Sequence, residues 1–230
     1  MLPLTAALYA SSVLPLHEEA LYAAAYAAAS PQRREKTQRL RFADDRALSL
    51  GAEALLRYAL RQAGYTGPLT FTYGPQGKPR LPEGAPQFSL SHAGDYVLCA
   101  LGPCEVGCDI EKIGPADLAL ARRFFCPEEA AAIAGGPTPQ AQSVLFYRYW
   151  TLKESFLKVT GQGLSLPLDA FSVTLGDEIA VHQTVDARHC RFSEFSQVPG
   201  YACAVCTADG PCPREIHMVE MREILQEVMP

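Results

Sequence analysis

A chain of 230 residues is long enough to bury a substantial core, as one large domain or two modest ones. Its 48% hydrophobic and 20% charged residues are a globular composition, which excludes a disordered chain. The net charge of −5 excludes a global basic field for nucleic acid, so any anionic ligand depends on a local cluster of cations.

The first 29 residues are rich in Ala and Leu, but no Lys or Arg precedes Arg33, and Glu18 and Glu19 interrupt the apolar run. That pattern argues against an export signal. Residues 2–9 read as a strand and residues 18–29 as an Ala-rich helix. Ser30-Pro31 stops that helix, and a basic stretch follows with Arg33, Arg34, Lys36, Arg39 and Arg41. Asp44 or Asp45 is placed to cap a helix that runs through Leu48, Leu55 and Leu56 to Gly64. Residues 69–73 read as a strand, and residues 74–82 are too rich in Gly and Pro to be anything but a loop.

Strands are expected at residues 88–91, 96–101 and 106–111, with a turn at Ala93-Gly94-Asp95 and a break at Gly102-Pro103 that marks the midpoint of the chain. Helices follow near residues 117–125, from Pro127, and over residues 141–159, the last ended by Thr160-Gly161. Residues 166–218 alternate like antiparallel strands, and residues 219–228 close as a helix. Helices and strands do not alternate regularly, so the expected class is α+β. No stretch is apolar enough to span a bilayer, and a soluble, cytosolic protein is expected.

Eight cysteines raise the question of disulfides or zinc. The only C-x-x-C, Cys203 to Cys206, lies in what reads as a buried strand, where residues three apart face opposite sides and do not share a metal. Buried free thiols are the expectation, and no zinc.

Four features could carry chemistry. Asp109 and Glu111, at i and i+2 on a strand, point to one face about 6.6 Å apart, with Ile110 turned the other way. Two such carboxylates repel unless a hard cation such as Mg²⁺ lies between them, although the exposed face of an amphipathic strand gives the same pattern. On the long helix, Trp150, Glu154 and Lys158 form one stripe with about 6 Å between neighbours. A surface Glu–Lys pair would look alike, but the only Trp of the chain shares the stripe, and a Trp is rarely left wet. Ser91 and His92 lie at a strand end, with no Gly-x-Ser-x-Gly elbow to make a serine hydrolase. They suit a phosphate or ribose, or equally a structural Ser and a core His. Arg33, Lys36 and Arg46, with Lys78 in the Gly-Pro loop, could hold several phosphates or simply form a solvated face.

All of these residues except Arg33, Lys36 and Arg46 fall in segments that resemble the Sfp-type 4′-phosphopantetheinyl transferases. The segments are Gly77-Lys-Pro79, Phe88-Ser-Leu-Ser-His92 through Val97, Val106-Gly-Cys-Asp-Ile-Glu-Lys112, Arg123-Phe-Phe125, and Trp150-Thr-Leu-Lys-Glu-Ser-Phe-Leu-Lys158 through Gly161-Gln-Gly-Leu164. They occur in the family's order across most of residues 30–175.

The resemblance implies an α+β fold of two similar halves, residues 1–103 and 104–230, related by a pseudo-twofold axis with coenzyme A in the cleft between them. It implies that Asp109, Glu111 and Glu154 bind Mg²⁺, which bridges to the coenzyme A pyrophosphate, so that Asp109 belongs to the cofactor site as well. Lys158 matches a pyrophosphate contact. Arg33, Lys36, Arg46 and His92 fall where the family binds the 3′-phosphate, and Lys78, Pro79 and Ser91 near the adenosine. Glu129 aligns with a proposed general base, with neighbouring Glu128 or a metal-bound water as alternatives. The implied reaction is attack by a serine of an apo acyl or peptidyl carrier protein on the phosphorus bearing the pantetheine arm, with 3′,5′-ADP leaving. An apolar groove near Phe124 and Phe125 would meet the carrier, which serves fatty acid, polyketide or nonribosomal peptide synthesis. A monomer is expected, with no nucleic acid or membrane as partner. The alternatives are a non-catalytic relative that only binds carrier proteins, and a magnesium-dependent hydrolase acting on coenzyme A alone.

Overall fold

The computed structural model describes residues 5–228, apart from the side chain of Leu164. In chain order the elements are β1 (Ala7–Ser12), α1 (Glu19–Ala28), α2 (Pro31–Arg39), α3 (Ala43–Gln62), β2 (Thr72–Tyr73), β3 (Pro79–Arg80), β4 (Gln87–Ala93), β5 (Tyr96–Gly102) and β6 (Val106–Lys112). They continue with α4 (Leu118–Phe124), α5 (Pro127–Ala134), α6 (Pro139–Thr160), β7 (Ser172–Thr174), β8 (Ala180–His182), β9 (Cys190–Phe195), β10 (Tyr201–Ala208), β11 (Ile216–Met218) and α7 (Met221–Val228). The protein is α+β, as its irregular element order requires. No described helix is long and apolar enough to cross a membrane.

Two sheets organise the molecule: one in the order β11-β1-β5-β4 and one in the order β6-β10-β9. Strand alternation sorts their side chains into layers. Val97, Cys99 and Leu101 of β5 face α3 and α7, whereas Leu98 and Ala100 meet Val106, Cys108 and Ile110 of β6 between the sheets. On the far side, Ala204, Cys206 and Ala208 of β10 pack against Leu152, Phe156 and Val159 of α6. Cys203 and Cys206 therefore enter different cores, and all eight cysteines are free.

Local chemistry moves several boundaries. Part of the strand expected at residues 2–9 lies outside the described residues, and β1 extends on to Ser12. Ser30-Pro31 does more than end α1: the Ser30 hydroxyl accepts from the Arg33 N–H and Pro31 sits in the first turn, so the basic stretch is itself a helix. Phe42, not an aspartate, precedes α3, and Asp44 and Asp45 lie inside its first turn, where they complement the helix dipole. β11 pairs parallel to β1, correcting the all-antiparallel expectation for the last third, and Met221, Ile224 and Leu225 of α7 join the core of the first sheet.

Candidate functional site

The site begins with a missing side chain. Gly107 of β6 lies beneath α6, and a Cβ there would stand 2.0 Å from the Ser155 carbonyl oxygen and 2.8 Å from the Val159 nitrogen. Only glycine permits this approach. It sets Glu154 and Lys158 of α6 over the face of β6 that carries Asp109 and Glu111. Thr138 caps the start of α6 by accepting from Ala141 N–H, and Gly161, with φ +72°, ends it just past Lys158.

Asp109 is 4% exposed, which removes the solvent-facing strand as a reading of its motif. Its Oδ1 accepts from Lys158 Nζ at 2.7 Å and from Ser91 Oγ at 2.7 Å. Lys158 Nζ also donates to the Cys108 carbonyl at 2.9 Å. Asp109 Oδ2 is buried without a partner among the described residues, a position that ordinarily costs free energy unless something else satisfies it.

The neighbouring charges respond to one another. Burial disfavours the Lys158 ammonium, but Asp109, Cys108 and Glu154 together outweigh it and raise the Lys158 pKa. Burial and then Asp109 raise Glu154, with Lys158 opposing. Glu111 is pushed up to about 7 by burial and by Asp109, with Glu154 adding to the effect and Lys158 and the Trp150 indole opposing it. Glu111 and Glu154 thus share one neighbourhood with Asp109, and each is harder to ionise there than in water. Among the described residues, no three Asp, Glu, His or Cys side chains already stand close enough to hold a metal between them.

A cleft opens beside this cluster, formed by cavities of about 250 and 270 Å³ that share Gly77, Pro79, Phe88 and Leu90 in their walls. Lys78 and Lys158 line the first, and Arg33 and Lys36 the second. Arg33 is held by the buried Glu53, whose carboxylate also accepts from Ser30 N–H. Lys36 is exposed and makes no ion pair among the described residues. His92 keeps solvent contact, yet the protein packed about its ring lowers its pKa, and the charges of Lys158, Lys36 and Arg33 act in the same direction. One imidazole therefore senses cations from both cavities.

Other expected residues lie differently. Arg46 lines another cavity, with His17 and Gln38, and its Nη1 donates to the carbonyls of Leu40 and Arg41. Lys78 lays its stem along the cleft but turns Nζ to Glu105 Oε2 at 2.6 Å, and Arg80 pairs with the same carboxylate. Ser91 bonds to Asp109 rather than lining either cavity. Glu129 has the setting of a structural group: it is 1% exposed, 2.8 Å from fully buried Lys153, and accepts from the N–H groups of Cys126 and Val173. Glu128 is exposed on α5. Phe125 stacks into the core against Phe146 and Trp150, so of the expected aromatic pair only Phe124 reaches the surface.

Sequence reasoning named Gly107 only as part of a motif and passed over Glu53 and Glu105. A glycine within an apolar strand was the legible sign of a close backbone approach.

Comparison with known proteins bears on the same segments. The 4′-phosphopantetheinyl transferase superfamily matches residues 105–206. A 4′-phosphopantetheinyl transferase of Bacillus subtilis strain 168, Sfp, is 35% identical over 201 residues, 85% of this chain and 89% of its own. The chain belongs to the 4′-phosphopantetheinyl transferase superfamily. A second transferase of Bacillus subtilis is 36% identical over 204 residues, 86% of this chain and 91% of its own. The 4′-phosphopantetheinyl transferase HetI of Nostoc is 34% identical over 185 residues, 75% of each chain. The superfamily match takes in β6 and α6, so Asp109, Glu111, Glu154 and Lys158 all lie within it.

Proposed function

We propose that this protein transfers the 4′-phosphopantetheine arm of coenzyme A to a serine of an apo acyl or peptidyl carrier protein, giving the holo-carrier and 3′,5′-ADP. The observation that carries this reading is the meeting of Lys158 with Asp109, Glu111 and Glu154 beside a cation-lined cleft.

The donor set fits Mg²⁺. Asp109 Oδ2 is a buried oxygen without a partner among the described residues, and burial, followed by the neighbouring Asp109, raises the pKa values of Glu111 and Glu154. All three are hard oxygen donors. Asp109, Glu111 and Glu154 would hold the ion, which when bound supplies charge neutralisation at the pyrophosphate.

The chain's own groups account for the rest. Arg33, Lys36 and His92 receive the 3′-phosphate, and Pro79 and the stem of Lys78 flank the adenosine. Lys158, already charged and anchored on the Cys108 carbonyl, offsets negative charge that builds on the leaving oxygen. The carrier serine's oxygen bonds to phosphorus as the bond to the 3′,5′-ADP oxygen breaks. Glu154, on the face of α6 above β6, accepts the serine proton.

A division into halves at residues 103/104, related by a pseudo-twofold axis, belongs to the same reading. Support comes from one sheet with its own helices on each side of that point, with β11 and α7 returning to the first. The protein acts as a monomer in the cytoplasm.

The test is release of 3′,5′-ADP from coenzyme A, followed by chromatography with and without apo carrier. Release that requires the carrier supports the transferase. Release without carrier marks a hydrolase, and none with any carrier class leaves a binding protein.

A further inference from the structure

β6 pairs with β10 along one edge only, and its other edge meets the face of β4 without a strand ladder. There the N–H of Cys108 donates to Ser89 Oγ at 3.0 Å and the N–H of Ile110 to Ser91 Oγ at 3.4 Å. Two serines at i and i+2 on β4 thus satisfy two amides at i and i+2 on β6, and they fasten the two sheets in one register.

The second of these hydroxyls has a further task. With its oxygen facing Ile110 N–H, Ser91 points its proton at Asp109 Oδ1. Ser91 is 8% exposed, so no bulk water competes for that bond. Oδ1 then carries two donors, Ser91 and Lys158, while Oδ2 of the same carboxylate carries none. A carboxylate held by Lys158 alone could swing about its Cβ–Cγ bond and exchange the two oxygens. With Ser91 as a second donor from another sheet, the rotation is fixed.

We infer that Ser91 is a positioning residue, which commits Asp109 Oδ1 to the protein and leaves Oδ2 turned to a divalent cation. This rests on the metal reading of Asp109 given above. Partners that orient a metal ligand typically change metal affinity by about 10–100-fold when removed.

The experiment measures Mn²⁺ binding to the full-length protein with coenzyme A bound, from the electron paramagnetic resonance signal of free Mn²⁺. Coenzyme A affinity is measured separately by calorimetry in EDTA. In Ser91→Ala, Mn²⁺ affinity should fall about tenfold or more, with coenzyme A affinity in EDTA within about twofold of the parent. Ser91→Thr keeps the hydroxyl and should recover most of the loss. Ser89→Ala removes the sister bond of the seam and should leave Mn²⁺ affinity within about twofold. If Ser91→Ala does not fold, Ser91→Cys, close in volume and a weak donor, is read in its place and should also bind Mn²⁺ more weakly.

Parental Mn²⁺ affinity in Ser91→Ala, while Asp109→Asn binds weakly, would overturn the role of Ser91 and leave the metal reading standing. Parental affinity in Asp109→Asn as well would overturn both. Loss of coenzyme A affinity in EDTA would make Ser91 a ligand contact and overturn the positioning role.

Discussion

Lys158 Nζ lies 2.7 Å from Asp109 Oδ1, and the other oxygen of that carboxylate has no partner. Lys158 and Ser91 both donate to Oδ1, and Oδ2 stays buried with no donor among the described residues. Lys158→Met removes the positive charge that the proposed transfer uses at the leaving oxygen. Single-turnover transfer should slow by about 10²–10³-fold, the range for loss of one oriented electrostatic group. Coenzyme A binding should change much less. Equal losses in both would mean that Lys158 serves binding alone.

Gly107→Ala places a methyl where the Ser155 carbonyl oxygen stands 2.0 Å away. Backbone cannot rotate aside as a side chain does, so α6 must lift from β6. We expect a loss of about 1–3 kcal/mol in urea unfolding, as for other overpacked interiors. Carrier modification should fall further than stability does, because Glu154 and Lys158 move with the helix. A variant of parental activity would show that their placement tolerates that shift.

Glu129 and Lys153 form a fully buried pair that ties α5 and α6 to the chain before β7, with Lys153 Nζ also donating to the carbonyls of Leu168 and Phe171. Glu129→Ala strands the Lys153 charge, and breaking such a pair costs about 3–5 kcal/mol. Unfolding midpoints should drop accordingly, whereas kcat per folded molecule should stay within about tenfold. A general base shows the reverse: parental stability with transfer abolished. Glu128→Ala, on the exposed side of α5, should alter neither.

Glu111, pushed up to about 7, gives the metal-free protein a defined pH response. Its folded pKa lies above the ordinary 4.5, so the folded state binds this proton more tightly than the unfolded chain does. The sign follows: Glu111's contribution to stability is present below about 4.5 and is lost as pH rises through about 7. Metal requires the ionised form, so calorimetry in buffers of different ionisation enthalpy should find more protons released by Mn²⁺ at pH 6 than at pH 8. Equal proton release at both would remove Glu111 from the metal set.

The long periodic elements were legible in the sequence because their signals are local. α6 carries its own Thr138 cap and Gly161 stop, and β6 alternates apolar and acidic residues. The approach of β6 to α6, and hence the meeting of Asp109 with Lys158, rests on contacts 49 residues apart. The motif resemblance supplied those, and periodicity could not. Tertiary contacts decide settings that no local pattern shows. The resemblance offered Glu129 as a general base, and its buried partner Lys153 lies 24 residues further on. Arg46 looked like one of a basic run until α3 turned it toward Leu40 and Arg41. The parallel pairing of β11 with β1 joins residues over 200 positions apart, which no local pattern announces.

The most direct test of the account is intact-mass spectrometry of an apo carrier domain incubated with this protein, coenzyme A and Mg²⁺, beside reactions containing EDTA or Glu154→Ala. The carrier serine should gain one phosphopantetheinyl group, absent in both parallel reactions. An unmodified carrier from every pathway class, with coenzyme A binding intact, would contradict it and leave a protein that binds carriers without modifying them.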